Sequence, residues 1–458
     1  MSRASPNWTL AASILASSLA FVDSSVTNVA LPAIRADLHA GAADLQWVIN
    51  TYLLPLSALL LLGGAAGDRF GRRRIFLAGL AGFAAASLAC ALAPSLEVLF
   101  IARFAQGAAA AILMPNSLSL LGIAFSGDER GRAIGTWAAA GAITAAIGPL
   151  IGGWLIDAIG WRAVFYVNLP LAAAAFAVGL LRVEDPPVRG KERLDWLGVG
   201  MATLSLGALT WGLTVASGAS AIGWQGIPEI AAGLAGLALF VAIEAREGPH
   251  AGMPLALFGT LSFGGLTVLT FLLYGALGAA FVLIPYLLIE NYGYSPVHAG
   301  AALLPIPVIL GACSRFMGGI AARIGPRWPL TIGPVVAGIG FALAARTAPE
   351  ASYWTTLFPA LVVIALGMAG AVAPLTTAVM ASVDGRHVGA ANGFNSAVAR
   401  TGGMIATALV GAVLAASGPA LEKAFDRAVL AAACAAALAG LAALVMLRPR
   451  EIAGTTKD

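Results

Sequence analysis

Charge is what this chain most conspicuously lacks: only 10% of its 458 residues are Asp, Glu, Lys or Arg, against roughly 25% in an ordinary soluble domain. With 59% of residues hydrophobic, it cannot dress its surface in polar groups, which excludes a conventional water-soluble fold. Lysine is scarcer still. Lys191, Lys423 and Lys457 are followed by Glu192, Ala424 and Asp458, so no phosphate-binding loop ending in Lys-Ser or Lys-Thr exists to harness ATP. The three cysteines, Cys90, Cys313 and Cys434, fall in apolar runs without metal or redox spacing and read as packing residues. The four histidines, His39, His250, His298 and His387, lie in or near loops, leaving no buried histidine relay or metal cluster. No cofactor, no metal and no enzyme activity are therefore expected. The apolar runs are continuous rather than alternating, which argues against a transmembrane barrel.

What is present is length of apolar sequence. A hydrocarbon layer about 30 Å thick needs about 20 apolar residues per helix, and runs that long recur along the chain. They fall at about 10 to 33, 45 to 66, 75 to 94, 96 to 122, 133 to 157 and 163 to 181. Others fall at about 196 to 217, 227 to 245, 262 to 289, 298 to 322, 329 to 346, 354 to 381, 388 to 416 and 427 to 447, giving fourteen. The first imitates a secretory signal, with Arg3 ahead of an apolar stretch, but hydrophobicity continues to about Ala33, as a retained span requires.

Alternate threading from a cytoplasmic N-terminus places eighteen of the 26 Lys and Arg inside, five outside and three within spans. This is the positive-inside bias of a helical membrane protein with both termini cytoplasmic. It also accounts for the net charge of +4 and the pI near 9.1, leaving no nucleic-acid partner to invoke. The densest basic stretch is G-D-R-F-G-R-R-R, Gly67 to Arg74, read as a loop of about eight residues in which Gly67 and Gly71 permit a tight turn.

The chain repeats itself. A shift of 254 residues superposes Arg69, Gly71 and Arg73 on Arg323, Gly325 and Arg327, and Gly131, Arg132, Gly135 and Gly148 on Gly385, Arg386, Gly389 and Gly402. A shift of 253 pairs V-A-L-P at Val29 with V-L-I-P at Val282. Two related six-helix halves follow, expected at 1–183 and 256–458, with a loop and two inserted helices at 184–255.

Ionised groups within spans are rare because each costs about 2.5 to 3.5 kcal/mol on insertion scales. Asp23 is the one carboxylate well inside a span, and with Ser24, Thr27 and Asn28 it forms a polar stripe. Arg103 lies in R-F-A-Q-G with Gln106 on nearly the same face. One reading makes Arg103 a structural partner for Asp68 or a helix end; the other sets it beside Asp23, where a permanent cation favours ionisation of the acid. Asn50, Asn116, Asn392, Asn395 and Arg400 are further polar residues within spans and, with Asn28 and Gln106, candidates to line a cavity. Gly148, Pro149, Gly152 and Gly153 describe a bent helix with small residues on its packing face.

Several of these stretches resemble the major facilitator superfamily, and within it the fourteen-helix drug:proton antiporter branch. The loop at Gly67 is similar to the superfamily pattern G-x-L-x-D-R-x-G-R-[RK]-x, and T-A-A-I-G-P-L-I-G-G from Thr144 resembles its antiporter pattern, with Thr144 at a usual glycine position. D-S-S-V-T-N-V-A-L-P at Asp23 resembles the branch's first-helix signature; W-R-A-V-F-Y-V-N-L-P at Trp161, D-W-L-G at Asp195 and G-Y-S-P at Gly293 are family-like too. The resemblance implies an all-α polytopic fold of two six-helix bundles plus two inserted helices. It also implies proton-coupled export of hydrophobic or amphipathic compounds by a monomer in a bacterial inner membrane, its partners being substrate, protons and lipid. By it, Asp23 and Arg103 couple protons, Gly67, Asp68, Arg69, Gly71 and Arg73 form a cytoplasmic gate, and Ala322 leaves the second copy of that gate without its acid. An exporter of one metabolite, or a receptor or scaffold that transports nothing, are the alternatives.

Overall fold

The computed structural model describes residues 6–125, 127–184, 196–218, 225–247, 260–347, 352–383 and 388–448. Among the described residues every regular element is helical, as expected of a backbone that must satisfy its own hydrogen bonds in lipid. Large apolar side chains face outward: Leu204, Leu181 and Ile101 are 76%, 75% and 72% exposed. In water such a surface would aggregate; against acyl chains it is the matched one.

The chain divides into two compact units, Met1–Ala208 with Ser295–Ala301, and Leu209–Tyr294 with Ala302–Asp458. The expected boundary at 255 and 256 lies outside the described residues.

The first unit contains α1 (Pro6–Leu38), α2 (Ala42–Ala58), α3 (Leu60–Phe70), α4 (Arg72–Ala91), α5 (Leu96–Ala124), α6 (Gly127–Ala158), α7 (Ala163–Tyr166) and α8 (Asn168–Arg182). It also takes the first part of α9 (Trp196–Gly218) and most of α12 (Pro296–Ala302). Within it α1 packs on α6, α8 and α5, while α4 packs on α5 and α8. The second unit contains α10 (Ile227–Glu247), α11 (Leu261–Glu290), α13 (Pro305–Ile324), α14 (Arg327–Ala344), α15 (Leu357–Ala381), α16 (Val388–Leu409), α17 (Gly411–Leu414) and α18 (Pro419–Met446). There α11 packs on α16 and α18, and α14 on α15 and α18, so each unit uses the same pairing scheme in chain order. The internal repeat read from the sequence is thus a repeat of packing.

Among the described residues ten helical stretches are both long and apolar enough to cross a bilayer, and shorter apolar stretches occur at Ile147–Ala158 and Gly200–Ala216. Some expected spans are interrupted. The run 45 to 66 is divided at Leu59, four residues after Pro55, and the run 298 to 322 breaks just ahead of Pro305. Pro305 removes one ladder hydrogen bond and collides with the turn before it; Pro55 lies inside α2, where its missing donor faces Thr51 rather than Leu59.

The basic stretch after α3 departs from its expected loop. Gly67, Asp68, Arg69 and Phe70 are the last turn of α3, and the chain reverses at Gly71 alone, with φ of 101°. Only glycine takes that conformation without strain. Gly67 serves a different need: a Cβ there would fall 1.7 Å from Asn116 Oδ1, so its missing side chain admits α5.

Candidate functional site

The first helix is apolar enough to insert, yet at Asp23 it carries a carboxylate that is 1% exposed. The structure surrounds it with donors from two other helices and backs them with a third. Arg103 on α5, itself 1% exposed, forms an ion pair with Asp23 Oδ2. Gln106 Nε2, one turn further along α5, donates to Asp23 Oδ1 at 2.8 Å, and Asn168 Nδ2 at the start of α8 donates to the same oxygen at 3.1 Å. Ser87 Oγ on α4 accepts from Gln106 at 2.8 Å and from Asn168 at 3.3 Å.

The cation is held as firmly as the acid. Arg103 Nε donates to the Val48 carbonyl of α2 at 3.2 Å and Nη1 donates to Gln106 Oε1 at 2.8 Å. Its guanidinium carbon stands 4.4 Å from the Tyr52 ring centroid and 5.7 Å from that of Phe165. Aromatic faces attract a cation without adding a titratable charge. A buried pair of this kind survives because extra hydrogen bonds satisfy the atoms that the ion pair leaves over. Chemically, the centre sets a carboxyl against a guanidinium inside the bundle, with amide donors on the carboxyl and aromatic faces on the cation.

The remaining first-helix stripe is less polar than its sequence suggests. Thr27 Oγ1 donates to the carbonyl of Asp23 at 2.7 Å, and Ser24 Oγ donates to that of Ala20 at 2.9 Å, both within α1. Asn28 is half-buried. Asn116 does not line an open space either: it is 1% exposed, donating to the Gly63 carbonyl at 2.8 Å and the Ile112 carbonyl at 2.7 Å. Gln106 is likewise wholly inside the bundle. Asn50 is fully buried, with no partner for either amide atom among the described residues.

At the basic corner, Arg73 Nε donates to the Gly179 carbonyl at 3.1 Å and Nη2 to that of Leu180, tying α4 to the end of α8. Arg69 lies over the Phe70 ring at 5.5 Å. The side chain of Asp68 lies outside the described residues, as does that of Asn392. In the second unit, Gly325 repeats the left-handed reversal with φ of 83°, and Arg327 Nη2 donates to the Leu444 carbonyl of α18 at 2.6 Å.

The glycines of α6 are sites of close approach. A Cβ on Gly148 would meet Ser25 Oγ at 2.1 Å, and one on Gly152 would meet Val26 at 2.6 Å, so α6 rides directly on α1. Gly153 faces the backbone of Val297 at 2.4 Å, and Gly300 faces the Pro149 carbonyl at 2.2 Å, joining α6 to α12. In the second unit Asn395 Oδ1 accepts from Thr270 Oγ1 at 2.6 Å, linking α16 to α11, and Arg400 is half-buried on the same helix. A groove of about 430 Å³ runs along α13, lined by Ala312, Phe316, Gly319, Ile320 and Arg323.

Sequence reasoning brought Asp23, Arg103 and Gln106 forward and passed over Ser87, Tyr52 and Asn168. Asn168 carried a legible signal: it is a lone amide in the apolar stretch V-F-Y-V-N-L-P. Ser87 carried none, being one serine in an alanine-rich helix.

A family model described as Major Facilitator Superfamily matches residues 13–195 and 266–457. A tetracenomycin C resistance and export protein of Streptomyces glaucescens is 33% identical over 400 residues, covering 86% of this chain and 73% of the relative. The multidrug resistance protein Stp of Mycobacterium tuberculosis is 35% identical over 436 residues, covering 92% and 78%. The puromycin resistance protein pur8 of Streptomyces alboniger is 34% identical over 416 residues, covering 89% and 81%. Among solved structures, a peptide transporter POT aligns with a TM-score of 0.71 at 13% identity, covering 98% of this chain and 95% of that one. A bacterial homolog of the human lysosomal transporter Spinster aligns with a TM-score of 0.64 at 19% identity, covering 98% of both chains. At such identities the structures speak for the fold alone.

Proposed function

Since the chain belongs to the major facilitator superfamily, and is by that membership an integral membrane transporter rather than an enzyme, we propose that it exports small hydrophobic or amphipathic compounds in exchange for protons by alternating access. The reading places it in a bacterial plasma membrane as a monomer with fourteen spans and both termini cytoplasmic. It requires no cofactor beyond the proton gradient. A receptor or scaffold role has no support from relatives named for resistance and export.

The observation that carries the reading is Asp23, a carboxylate 1% exposed and held by an arginine and two amides. Burial makes its charge expensive and its neutralisation consequential, which is what a proton carrier needs. Protonation would release Arg103 from its counterion and free it to re-pair, a local event able to bias a two-state protein. One proton descending about 150 mV supplies roughly 3.5 kcal/mol, enough for about two and a half decades of gradient for a neutral solute. By this reading Arg73 and the Gly71 reversal brace the cytoplasmic gate, and the α6 glycines let helices close on one another without side chains between them.

The test uses everted vesicles holding a respiratory pH gradient, challenged with a panel of drugs and metabolites. Substrate-dependent proton release by the wild type, absent from a folded Asp23→Asn variant, is the expected result. Uphill efflux by Asp23→Asn at the wild-type rate would overturn the coupling. The names of two relatives each specify one compound, tetracenomycin C or puromycin, which favours a single-metabolite exporter as the second reading. A response to one member of the panel alone would select it.

A further inference from the structure

Around Asp23 the hydrogen bonds close except at one atom. Asp23 Oδ1 accepts from Gln106 and Asn168, and Oδ2 from Arg103. Gln106 Oε1 already accepts from Arg103 Nη1 at 2.8 Å, with Cys90 Sγ a further donor at 3.6 Å. Asn168 Oδ1 alone, on a side chain 0% exposed, has no donor among the described residues. A buried amide oxygen left in that condition costs about 1 to 3 kcal/mol and calls for a reason.

The reason lies in which end of the amide an ionised acid demands. A carboxylate only accepts, so it draws Nδ2 and leaves Oδ1 facing away. A protonated Asp23 makes the opposite demand, because its new O–H needs an acceptor. Arg103 has none to give, and the Gln106 carbonyl is already taken. A half-turn of the Asn168 amide brings Oδ1 to the place of Nδ2, and the Ser87 hydroxyl, which both donates and accepts, turns to match.

We propose that Asn168 is a positioning residue that reads the charge on Asp23, donating to the carboxylate and, after its amide rotates, accepting from the acid. The inference rests on the proton-coupling reading above. A hydronium ion delivers the proton and departs as water, one O–H bond forms on Asp23, and no covalent bond of Asn168 changes. The charge state of α1 thereby becomes a hydrogen-bond state of α8. The other titratable or charged groups facing the cluster are Arg103 from α5, Cys90 from α4 and Tyr52 from α2, whose hydroxyl lies 3.5 Å from the Ala20 carbonyl. Among the described residues α6, α7 and α8 bring no charged side chain to it.

The experiment compares the pH dependence of substrate-driven proton release in vesicles for wild type, Asn168→Leu, Asn168→Asp and Asp23→Asn. Asn168→Leu removes both the donor to the carboxylate and the acceptor for the acid, and because the bond to the charged form is the stronger of the two its midpoint should move to higher pH by about one unit, a tenfold change in proton affinity. Asn168→Asp sets a second carboxyl beside the first, and the pair should share a proton and move the midpoint to higher pH. A merely structural asparagine would change the amount of folded protein without moving the Asn168→Leu midpoint. Wild-type midpoints in both variants, with coupling lost in Asp23→Asn, would overturn the role of Asn168 and leave proton coupling standing. Should Asn168→Leu fail to fold, an unmoved midpoint in Asn168→Asp overturns it alone. Uphill transport by Asp23→Asn with the wild-type profile would instead remove the reading on which it rests.

Discussion

At the scale of single residues, Asp23 and Arg103 show how rarity in a sequence becomes information. In a chain this poor in charge, an acid and a base inside apolar runs stand out, because neither repays its desolvation without a partner. The sequence supplied the two residues and left the pairing open, since they are separated by 80 positions and Asp68 was also on offer. Ser87 was illegible because neutral hydroxyls are common in spans and satisfy themselves locally, as Thr27 does, whereas Asn168 stood out as a lone amide without naming its partner. The pair predicts its own fragility. Arg103→Leu leaves a buried carboxylate without a counterion and should lower stability by about 3 to 5 kcal/mol. Asp23→Asn combined with Arg103→Leu should lose clearly less than the two single losses summed. Unfolding in detergent measures both, and strict additivity would mean that the two charges do not interact.

At the scale of elements, apolar periodicity located the helices, while their interruptions depended on backbone detail. Pro305 marks a break that a hydropathy profile smooths over, and at Gly67 the helix end lies against α5, which needs that bare surface. Such a requirement belongs to two helices together and is invisible in either alone. Gly107 is a sharper instance: a Cβ there would fall 2.1 Å from the Tyr52 carbonyl and 2.8 Å from Pro55. Gly107→Ala must push α5 away from α2 and should cost about 1 to 3 kcal/mol. Gly82→Ala, whose new methyl meets Ala109 at an ordinary 3.5 Å, should change thermal stability little. Equal melting temperatures for the two variants would show that the α2 and α5 contact gives way freely.

At the scale of the whole molecule, the repeat was legible because glycine and arginine are hard to substitute at a left-handed reversal. Gly71 with Arg73 and Gly325 with Arg327 recur at one offset, and in each unit the arginine donates to carbonyls near the end of that unit's closing helix. Nothing in the one-dimensional pattern named those acceptors, since every residue carries a carbonyl. Arg73→Leu and Arg327→Leu should each lower stability by about 1 to 2 kcal/mol. Because each bond closes inside its own unit, the double variant should be additive within about 0.5 kcal/mol. Thermal unfolding of the three variants tests this, and a larger departure would tie the two corners together.

The distance along the chain between Asp23 and Arg103 also has a consequence for biosynthesis. At about 5 to 20 residues per second, a ribosome that has just finished the acid needs about 4 to 16 s to make its cation. Gln106 follows three residues after Arg103, and Asn168 arrives later still. The first helix is thus committed to lipid, or held at its edge, before any of these partners exists. Until α5 and then α8 fold against it, the first helix carries an acid into lipid without its partners, an insertion cost of about 2.5 to 3.5 kcal/mol that only later packing can offset.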